Sequence, residues 1–166
     1  MAEKIWRFAV VTMSDKGSRG ERVDESGAFL RGFLTDAGFA EAGYRLVPDR
    51  VESIAEAVCA MIDLGADVVI TTGGTGLAPS DVTPEAMDKV FQREVPGIAE
   101  MLRLESLKKT PMAALSRGRA GVRGESLIIN LPGSLKAARE NIAAALPILA
   151  HALEKIKGDP SDCGQQ

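Results

Sequence analysis

The sequence contains few of the residues on which disulfide, zinc and base-stacking sites depend. Its 166 residues include two cysteines, one histidine and 4% aromatic side chains. Cys59 and Cys163 lie far apart and fit no metal-ligand spacing, which argues against a disulfide framework or a zinc site and favours a reducing compartment. The scarcity of aromatic rings also argues against a stacking platform for single-stranded nucleic acid.

Long apolar runs and dense basic segments are absent as well. No run reaches the length of a membrane span, and residues 1–5 form no signal peptide, so we expect a cytoplasmic protein without a membrane partner. The net charge is −3 and the basic residues are dispersed, which argues against nucleic acid as a partner. The apolar content of 45% is ordinary for a soluble globular protein.

Short apolar runs alternate with helical patterns along the chain. Four strands are predicted at residues 8–11, 44–47, 67–71 and 127–129. The continuous apolar runs at 8–11 and 127–129 are typical of strands buried on both faces. Helical spacing lies between them, with stop signals at Gly38 and Gly65. The alternation predicts a single α/β domain over residues 1–157, with a mainly parallel central sheet flanked by helices in three layers, and a polar tail at 158–166.

Two segments are harder to interpret. Residues 112–125 hold three glycines and three arginines, and both a strand pair and an irregular loop fit this composition. The last helix carries an apolar stripe from Ile142 to Ile156 that suits packing against another helix. Pro147 lies inside this stripe and should kink or split the helix.

Residues 71–85 combine a strand end, a glycine-rich turn, an acid and a helix start. Glycines allow backbone N–H groups to approach an anion closely, so the turn suits a phosphate. We expect Thr83 to cap the following helix, with Pro84 at its first position. The segment is not a P-loop, because no lysine follows Gly76, and Pro79 occupies the place of the third glycine of a dinucleotide fingerprint.

Polar turns follow the four predicted strands. They are Ser14-Asp15, Pro48-Asp49, residues 73–81 and residues 130–134. In a parallel sheet these turns meet at one edge, which is where α/β proteins bind ligands. A carboxylate beside a phosphate needs a cation between them, and Mg²⁺ is usually held by one or two carboxylates together with substrate phosphates. Asp49 and Asp81 are the natural pair for this role, with Asp15 a weaker third, although each acid could instead only order its turn.

Five segments in order form a specific combination. They are residues 11–15 (Val-Thr-Met-Ser-Asp), 72–86 with its Thr-Gly-Gly-Thr-Gly and Asp-Val-Thr-Pro-Glu-Ala parts, 96–103, 115–121 and 130–134 (Asn-Leu-Pro-Gly-Ser). This combination resembles the MogA/MoaB family of molybdenum-cofactor biosynthesis proteins, whose fold also occurs in gephyrin, the plant Cnx proteins and a domain of MoeA. The resemblance covers nearly the whole chain.

The resemblance implies molybdopterin adenylyltransferase activity. This reaction joins the AMP part of ATP to the terminal phosphate of molybdopterin and releases pyrophosphate. The resemblance also implies a homotrimer, and a downstream metal-insertion protein as a partner.

The resemblance further implies roles for individual residues. Asp49 and Asp81 would be the catalytic acids that hold Mg²⁺. The phosphate cradle would be Gly73, Gly74, Thr75 and Gly76, and the other substrate-binding residues would be Ser14, Asp15, Glu100, Ser116, Arg117, Pro132, Gly133 and Ser134. Two positions depart from the family pattern: Ser80 replaces an arginine that commonly precedes the acid, and Leu135 replaces a proline. Loss of the arginine bears on the tightness of binding more than on the reaction.

Two other kinds of function remain open. The MoaB branch of the same fold suggests a non-catalytic pterin-binding or regulatory protein, although the presence of both Asp49 and Asp81 favours the enzyme. The apolar stripe of the last helix would also suit an assembly module.

Overall fold

A six-stranded, mostly parallel sheet forms the centre of the molecule. The computed structural model describes residues 4–160, so Cys163 and most of the predicted tail lie outside it. The strands are β1 (Arg7–Met13), β2 (Ala40–Val47), β3 (Val68–Thr72), β4 (Arg93–Glu94), β5 (Ala120–Arg123) and β6 (Ser126–Leu131). Their order is β2-β1-β3-β6-β5-β4, with β2, β1, β3 and β6 parallel and β5 antiparallel to both of its neighbours.

Helices cover both faces of this sheet. They are α1 (Asp15–Ser18), α2 (Glu25–Asp36), α3 (Val51–Asp63), α4 (Thr83–Val90), α5 (Pro96–Leu107) and α6 (Leu135–Ile156), with a short 3-10 helix at Pro111–Leu115. Alternate residues of β1 enter opposite cores: Phe8 and Val10 pack with α2, α5 and α6, whereas Ala9 and Val11 pack with α3 and α4. The predicted three-layer α/β fold is therefore confirmed. Among residues 4–160, no helix combines the length and apolar character that a bilayer crossing requires.

One local prediction differs from the structure, and one open interpretation is decided by it. The second strand begins at Ala40 rather than near Tyr44. The Ala-Glu-Ala-Gly sequence at its start has weak strand propensity, but pairing with β1 decides its conformation. The strand-pair interpretation agrees with the second half of the segment 112–125. The 3-10 helix is followed there by β5, which turns at Gly124 with φ +57° and pairs with β6.

Of the two predicted effects of Pro147, a kink or a split of the last helix, the split is wrong, because α6 runs unbroken from Leu135 to Ile156. Proline has no N–H, so the carbonyl of Ala143 loses its helical donor. Pro147 itself is exposed, while Ile142, Leu149 and Leu153 are fully buried in the core. Packing of the apolar stripe therefore holds the helix together, as the spacing predicted, and the stripe is occupied within its own chain.

Replacing Pro147 with alanine should raise the free energy of unfolding by about 1–3 kcal/mol, because it restores a helical hydrogen bond. Urea denaturation measures this change. As a control, Ala150→Pro at a nearby exposed position of α6 should destabilise the protein by about 3 kcal/mol. Equal or lower stability of Pro147→Ala would contradict this account of α6.

Candidate active site

The carboxyl ends of the parallel strands meet at one edge of the sheet, as predicted. Met13 of β1 pairs with Val47 of β2, and Thr72 of β3 pairs with Leu131 of β6, so the segments that follow these strands are brought together. Two cavities open there. They share four residues of one wall, named here the shared wall: Gly74, Asp81, Gly133 and Ser134.

Cavity one has a volume of about 460 Å³ and lies between the glycine turn, α5 and α6. Its lining includes Thr75, Gly76, Ser106, Ser116, Pro132 and Asn141. Cavity two has a volume of about 500 Å³ and lies beside β1 and the start of α2. Its lining includes Ser14, Asp24, Asp49, Thr72 and Gly73. The structure thus brings eleven of the predicted site residues to these cavities: Ser14, Asp49, Gly73, Gly74, Thr75, Gly76, Asp81, Ser116, Pro132, Gly133 and Ser134.

The glycine turn depends on backbone conformations that other residues rarely adopt. Gly73 and Gly74 have φ of +104° and +65°. A Cβ on Gly73 would lie 2.5 Å from the carbonyl oxygen of Met13. The turn is therefore packed directly against the end of β1, and its conformation needs glycine.

Thr83 connects this turn to α4, but not in the predicted way. The N-cap position belongs to Val82, and Thr83 is the first helical residue. Its hydroxyl donates to the carbonyl oxygen of Gly73 at 2.9 Å, and its N–H donates to the carbonyl oxygen of Gly74 at 3.1 Å. The predicted N-cap role is wrong, because the Thr83 side chain orders the turn instead of the helix end.

Asp15 and Asp49 hold each other's backbone. The Asp15 N–H donates to Asp49 Oδ2 at 3.0 Å, and the Asp49 N–H donates to Asp15 Oδ1 at 2.9 Å. Burial raises the pKa of Asp49 above its ordinary value, and the charges of Asp15 and Asp81 add to this rise, while the hydrogen bond from Asp15 opposes it. Asp15 contributes this support without lining either cavity.

Asp81 lies in the shared wall. Its Oδ2 accepts a hydrogen bond from the Ala78 N–H at 3.0 Å. Within the described residues, no lysine or arginine forms an ion pair with Asp49 or Asp81. Residues 4–160 also contain no cluster of three or more metal-ligating side chains. Two unpaired carboxylates beside an anion-friendly turn suit a cation that completes its shell with ligands from a substrate.

Arg117 holds the segment that carries Asp81. Its Nε donates to the Gly76 carbonyl oxygen at 2.9 Å, and its Nη2 donates to the Asp81 carbonyl oxygen at 2.6 Å. Its Nη1 pairs with Glu85, and its own N–H donates to the Thr75 carbonyl oxygen at 2.7 Å. The guanidinium is therefore engaged with protein, and Arg117 lines neither cavity.

Glu100 also lines neither cavity. It is an exposed residue of α5. The structure therefore does not bring Glu100, Asp15 or Arg117 to the cavity walls. The contacts that Arg117 makes in the structure are to protein groups, and its predicted role in substrate binding stays a prediction.

Helix α6 begins at the shared wall, because its N-cap residue Ser134 belongs to that wall. Ser134 is the N-cap and accepts a hydrogen bond from the Ala137 N–H at 3.2 Å. The turn before it is fixed by two hydroxyls: Thr72 donates to the Pro132 carbonyl oxygen at 2.7 Å, and Ser26 donates to the Gly133 carbonyl oxygen at 2.9 Å. A long helix that begins at this wall favours an anion there.

Sequence reasoning missed several polar residues of the cavities. Asp24 caps α2 through the Gly27 N–H at 2.9 Å and also accepts from the Tyr44 hydroxyl. Burial, and then the neighbouring Asp24, raise the pKa of Tyr44, so the phenol stays protonated and donates. An acid just before a helical pattern is a cap signal that could have identified Asp24. Ser106 and Asn141 carried no such signal, because each is one polar residue within a helix.

Comparison with known proteins agrees with this architecture. The family model described as "Probable molybdopterin binding domain" matches residues 9–151. The chain is 41% identical over 155 residues to the molybdopterin adenylyltransferase of Helicobacter pylori (strain ATCC 700392 / 26695), covering 92% of this chain and 88% of that protein. The structure of the molybdopterin biosynthesis enzyme MoaB from Thermus thermophilus superposes with a TM-score of 0.87 at 52% identity, covering 95% of this chain and 100% of the other.

The chain therefore belongs to the family of probable molybdopterin-binding domains. It is also 38% identical over 168 residues to gephyrin of Dictyostelium discoideum. That match covers 95% of this chain and 23% of gephyrin, so the chain spans about a quarter of that longer relative.

Asp49→Asn should stabilise the protein at pH 7. The pKa of Asp49 is higher in the folded state than in the unfolded state, so the folded state binds the proton more strongly. The free energy of unfolding therefore falls as the pH rises from the unfolded-state pKa through the folded-state pKa. An asparagine cannot ionise, yet it still offers an oxygen to the Asp15 N–H. Thermal unfolding should show a higher Tm at pH 7, and the gain should shrink as pH falls to about 4, near the ordinary Asp pKa. An unchanged or lower Tm at pH 7 would be inconsistent with this electrostatic interpretation.

Arg117→Ala should loosen the segment 76–81 in the absence of any ligand. Loss of its hydrogen bonds to two carbonyl groups should speed amide hydrogen exchange there by about 10–100-fold, at about 1 kcal/mol for each bond. Hydrogen-exchange mass spectrometry measures the effect. Arg123→Ala is the matched control, because Arg123 donates instead to the Val90 carbonyl oxygen at the end of α4. Unchanged exchange in Arg117→Ala would remove the positioning role.

Proposed function

We propose that this protein transfers the adenylyl group of ATP to the terminal phosphate of molybdopterin and releases pyrophosphate, in molybdenum-cofactor biosynthesis. The observation that carries this proposal is the pair of cavities that share one wall at Gly74, Asp81, Gly133 and Ser134. Transfer between two large substrates needs separate binding spaces that meet at the reacting atoms. The molybdopterin adenylyltransferase of Helicobacter pylori, which matches over most of both chains, supports the choice of reaction.

The shared wall suits a reaction between two phosphates. The attacking group is a phosphate monoester, whose second pKa is about 6, so it is mostly a dianion at neutral pH and needs no general base. The task of the site is to bring two anions together in line. The glycine turn contributes Gly74 to this wall, and α6 begins there at its N-cap Ser134, so the helix N-terminus supplies partial positive charge.

Mg²⁺ fits the carboxylates on cavity two. Asp49 and Asp81 both line this cavity, neither pairs with a cation of the described chain, and the charge of Asp81 contributes to the raised pKa of Asp49. Two carboxylates plus substrate phosphates are a donor set that Mg²⁺ accepts. When bound, the ion would neutralise phosphate charge during transfer. Asp49 and Asp81 would hold it, and the Asp15 backbone contact and Arg117 would keep these acids in place.

The proposal includes a cytoplasmic homotrimer and a downstream metal-insertion protein that receives the product. Two large apolar side chains of α5 that line neither cavity, Leu104 and Leu107, are exposed and available for subunit contact. A function as an assembly module is no longer supported, because the apolar stripe of α6 packs within its own chain.

The remaining alternative is a non-catalytic pterin-binding or regulatory protein. Such a protein would have the same fold, and the similarity to a MoaB structure is the reason to retain this alternative. Both functions need cavity one or cavity two, but only transfer requires the carboxylates of Asp49 and Asp81 beside the shared wall. Incubation with molybdopterin, ATP and Mg²⁺ separates them, because only the enzyme releases pyrophosphate.

Asp81→Asn should lower the rate of pyrophosphate release by at least ~10²-fold, the effect expected for loss of one preorganised electrostatic group. A coupled pyrophosphate assay at saturating substrates measures it. Asp88→Asn is the matched control, because Asp88 is an exposed acid of α4 that pairs with Arg119 and lines neither cavity. A rate near wild type in Asp81→Asn would reject the assignment of Asp81.

A further inference from the structure

Cavity one contains a polar pair that the transfer chemistry does not use. Ser106 of α5 and Asn141 of α6 both line this cavity. Asn141 lies seven residues after Ser134, or about 10 Å along the helix axis at ~1.5 Å per residue. The pair is therefore well separated from the N-cap of α6 at the shared wall, where the phosphates would react.

Asn141 presents a fixed, unpartnered acceptor. It is 5% exposed, and its Nδ2 donates to the Ala137 carbonyl oxygen at 2.9 Å and to Ser106 Oγ at 3.0 Å. A carbonyl oxygen can only accept, so the amide must turn its nitrogen toward Ala137. Its Oδ1 has no donor among the described residues, and Asn141 lines cavity one. A ligand in this cavity that carries an N–H or O–H group can therefore donate to this oxygen.

Ser106 supplies the complementary group beside it. Its oxygen accepts from Asn141, and the hydroxyl proton has no acceptor among the described residues, so it can be donated into the cavity. Of the charged neighbours, Arg103 donates through Nη1 to the Gly118 carbonyl oxygen at 2.8 Å, and Glu140 pairs with Lys109 at 3.3 Å. Ser106 and Asn141 thus place one neutral donor beside one neutral acceptor.

This pattern matches the edge of an aminopyrimidine ring, which presents an amino donor next to a ring-nitrogen acceptor. Leu102 and Met112 line the same cavity and offer apolar surface to the faces of a flat ring. We propose that Asn141 Oδ1 accepts from the amino group, and the Ser106 hydroxyl donates to the adjacent ring nitrogen, of a substrate's heterocycle. This inference rests on the proposed function, because both of its substrates, with an adenine and a pterin, carry such an edge.

Equilibrium binding of ATP, ITP and unsubstituted pterin (2-amino-4-oxopteridine) tests the proposal without turnover. ITP has an oxygen in place of the amino group of adenine. If adenine is the bound ring, the wild-type protein should bind ATP more tightly than ITP. Asn141→Leu should then weaken ATP binding by about tenfold, which is the loss expected for one or two hydrogen bonds, and should remove the preference for ATP over ITP. If pterin is the bound ring, Asn141→Leu should weaken pterin by about tenfold and leave the ATP-to-ITP ratio unchanged.

Ser106→Ala should weaken binding of the same ligand as Asn141→Leu does. If the Asn141 variant does not fold, the Ser106 variant tests the proposal alone. Ser126→Ala is the matched control, because its buried hydroxyl donates to the Ala66 carbonyl oxygen at 2.7 Å and lies outside both cavities. Unchanged affinities of all three ligands in a folded Ser106→Ala would overturn the inference. Absence of pyrophosphate release in wild type would instead reject the proposed function, and the binding result would stand separately.

Discussion

Close backbone packing at Gly73 is the constraint on which the site depends. Its N–H donates to the Leu131 carbonyl oxygen at 3.1 Å, so the end of β3 remains joined to β6. On the other side, Gly73 touches the backbone of Met13 at the end of β1. A Cβ on Gly133 would lie 3.2 Å from the Gly73 Cα, so the turn after β6 is equally close. Three strand ends converge here because glycines leave room for one another's backbone.

The same turn is held from two further directions. Thr83 fastens it to the first turn of α4, and Arg117 fastens the following segment to the chain before β5. A planar guanidinium can reach two carbonyl oxygens and a carboxylate at once, which an ammonium group on a flexible stem does less well. The carboxylate of Asp81 is therefore carried by a segment whose backbone is fixed at both ends. This rigidity is what an electrostatic site needs, because its groups must be in place before the reactants arrive.

The sequence predicted the strands and turns that form this site better than the hydrogen bonds that hold them in place. Strands such as residues 67–71 are continuous apolar runs because helices cover both faces, and a parallel sheet then places the turns after them at one edge. The role of Arg117 could not be predicted, because its partners lie 32 to 41 residues away and depend on where β5 enters the sheet. Thr83 was assigned to the wrong hydrogen bond, since a threonine before Pro84 fits both a cap and the first helical position. Asn141 and Ser106 meet only because α5 and α6 pack side by side.

Under the proposed function, the electrostatics of this edge would favour a bound cation. Burial and two neighbouring carboxylates raise the pKa of Asp49, so its ionisation is less favourable than that of an ordinary aspartate. The helix N-terminus nearby offers the equivalent of only about half a positive charge, which cannot balance three acids and two phosphates. The neighbouring acids therefore lower the free energy of unfolding. Under the proposed function, a divalent ion would raise it again by neutralising acids and phosphates together. The neutral pair at Ser106 and Asn141 contributes no charge to this balance, so the proposed recognition of a ring there and the proposed transfer at the shared wall are physically separable.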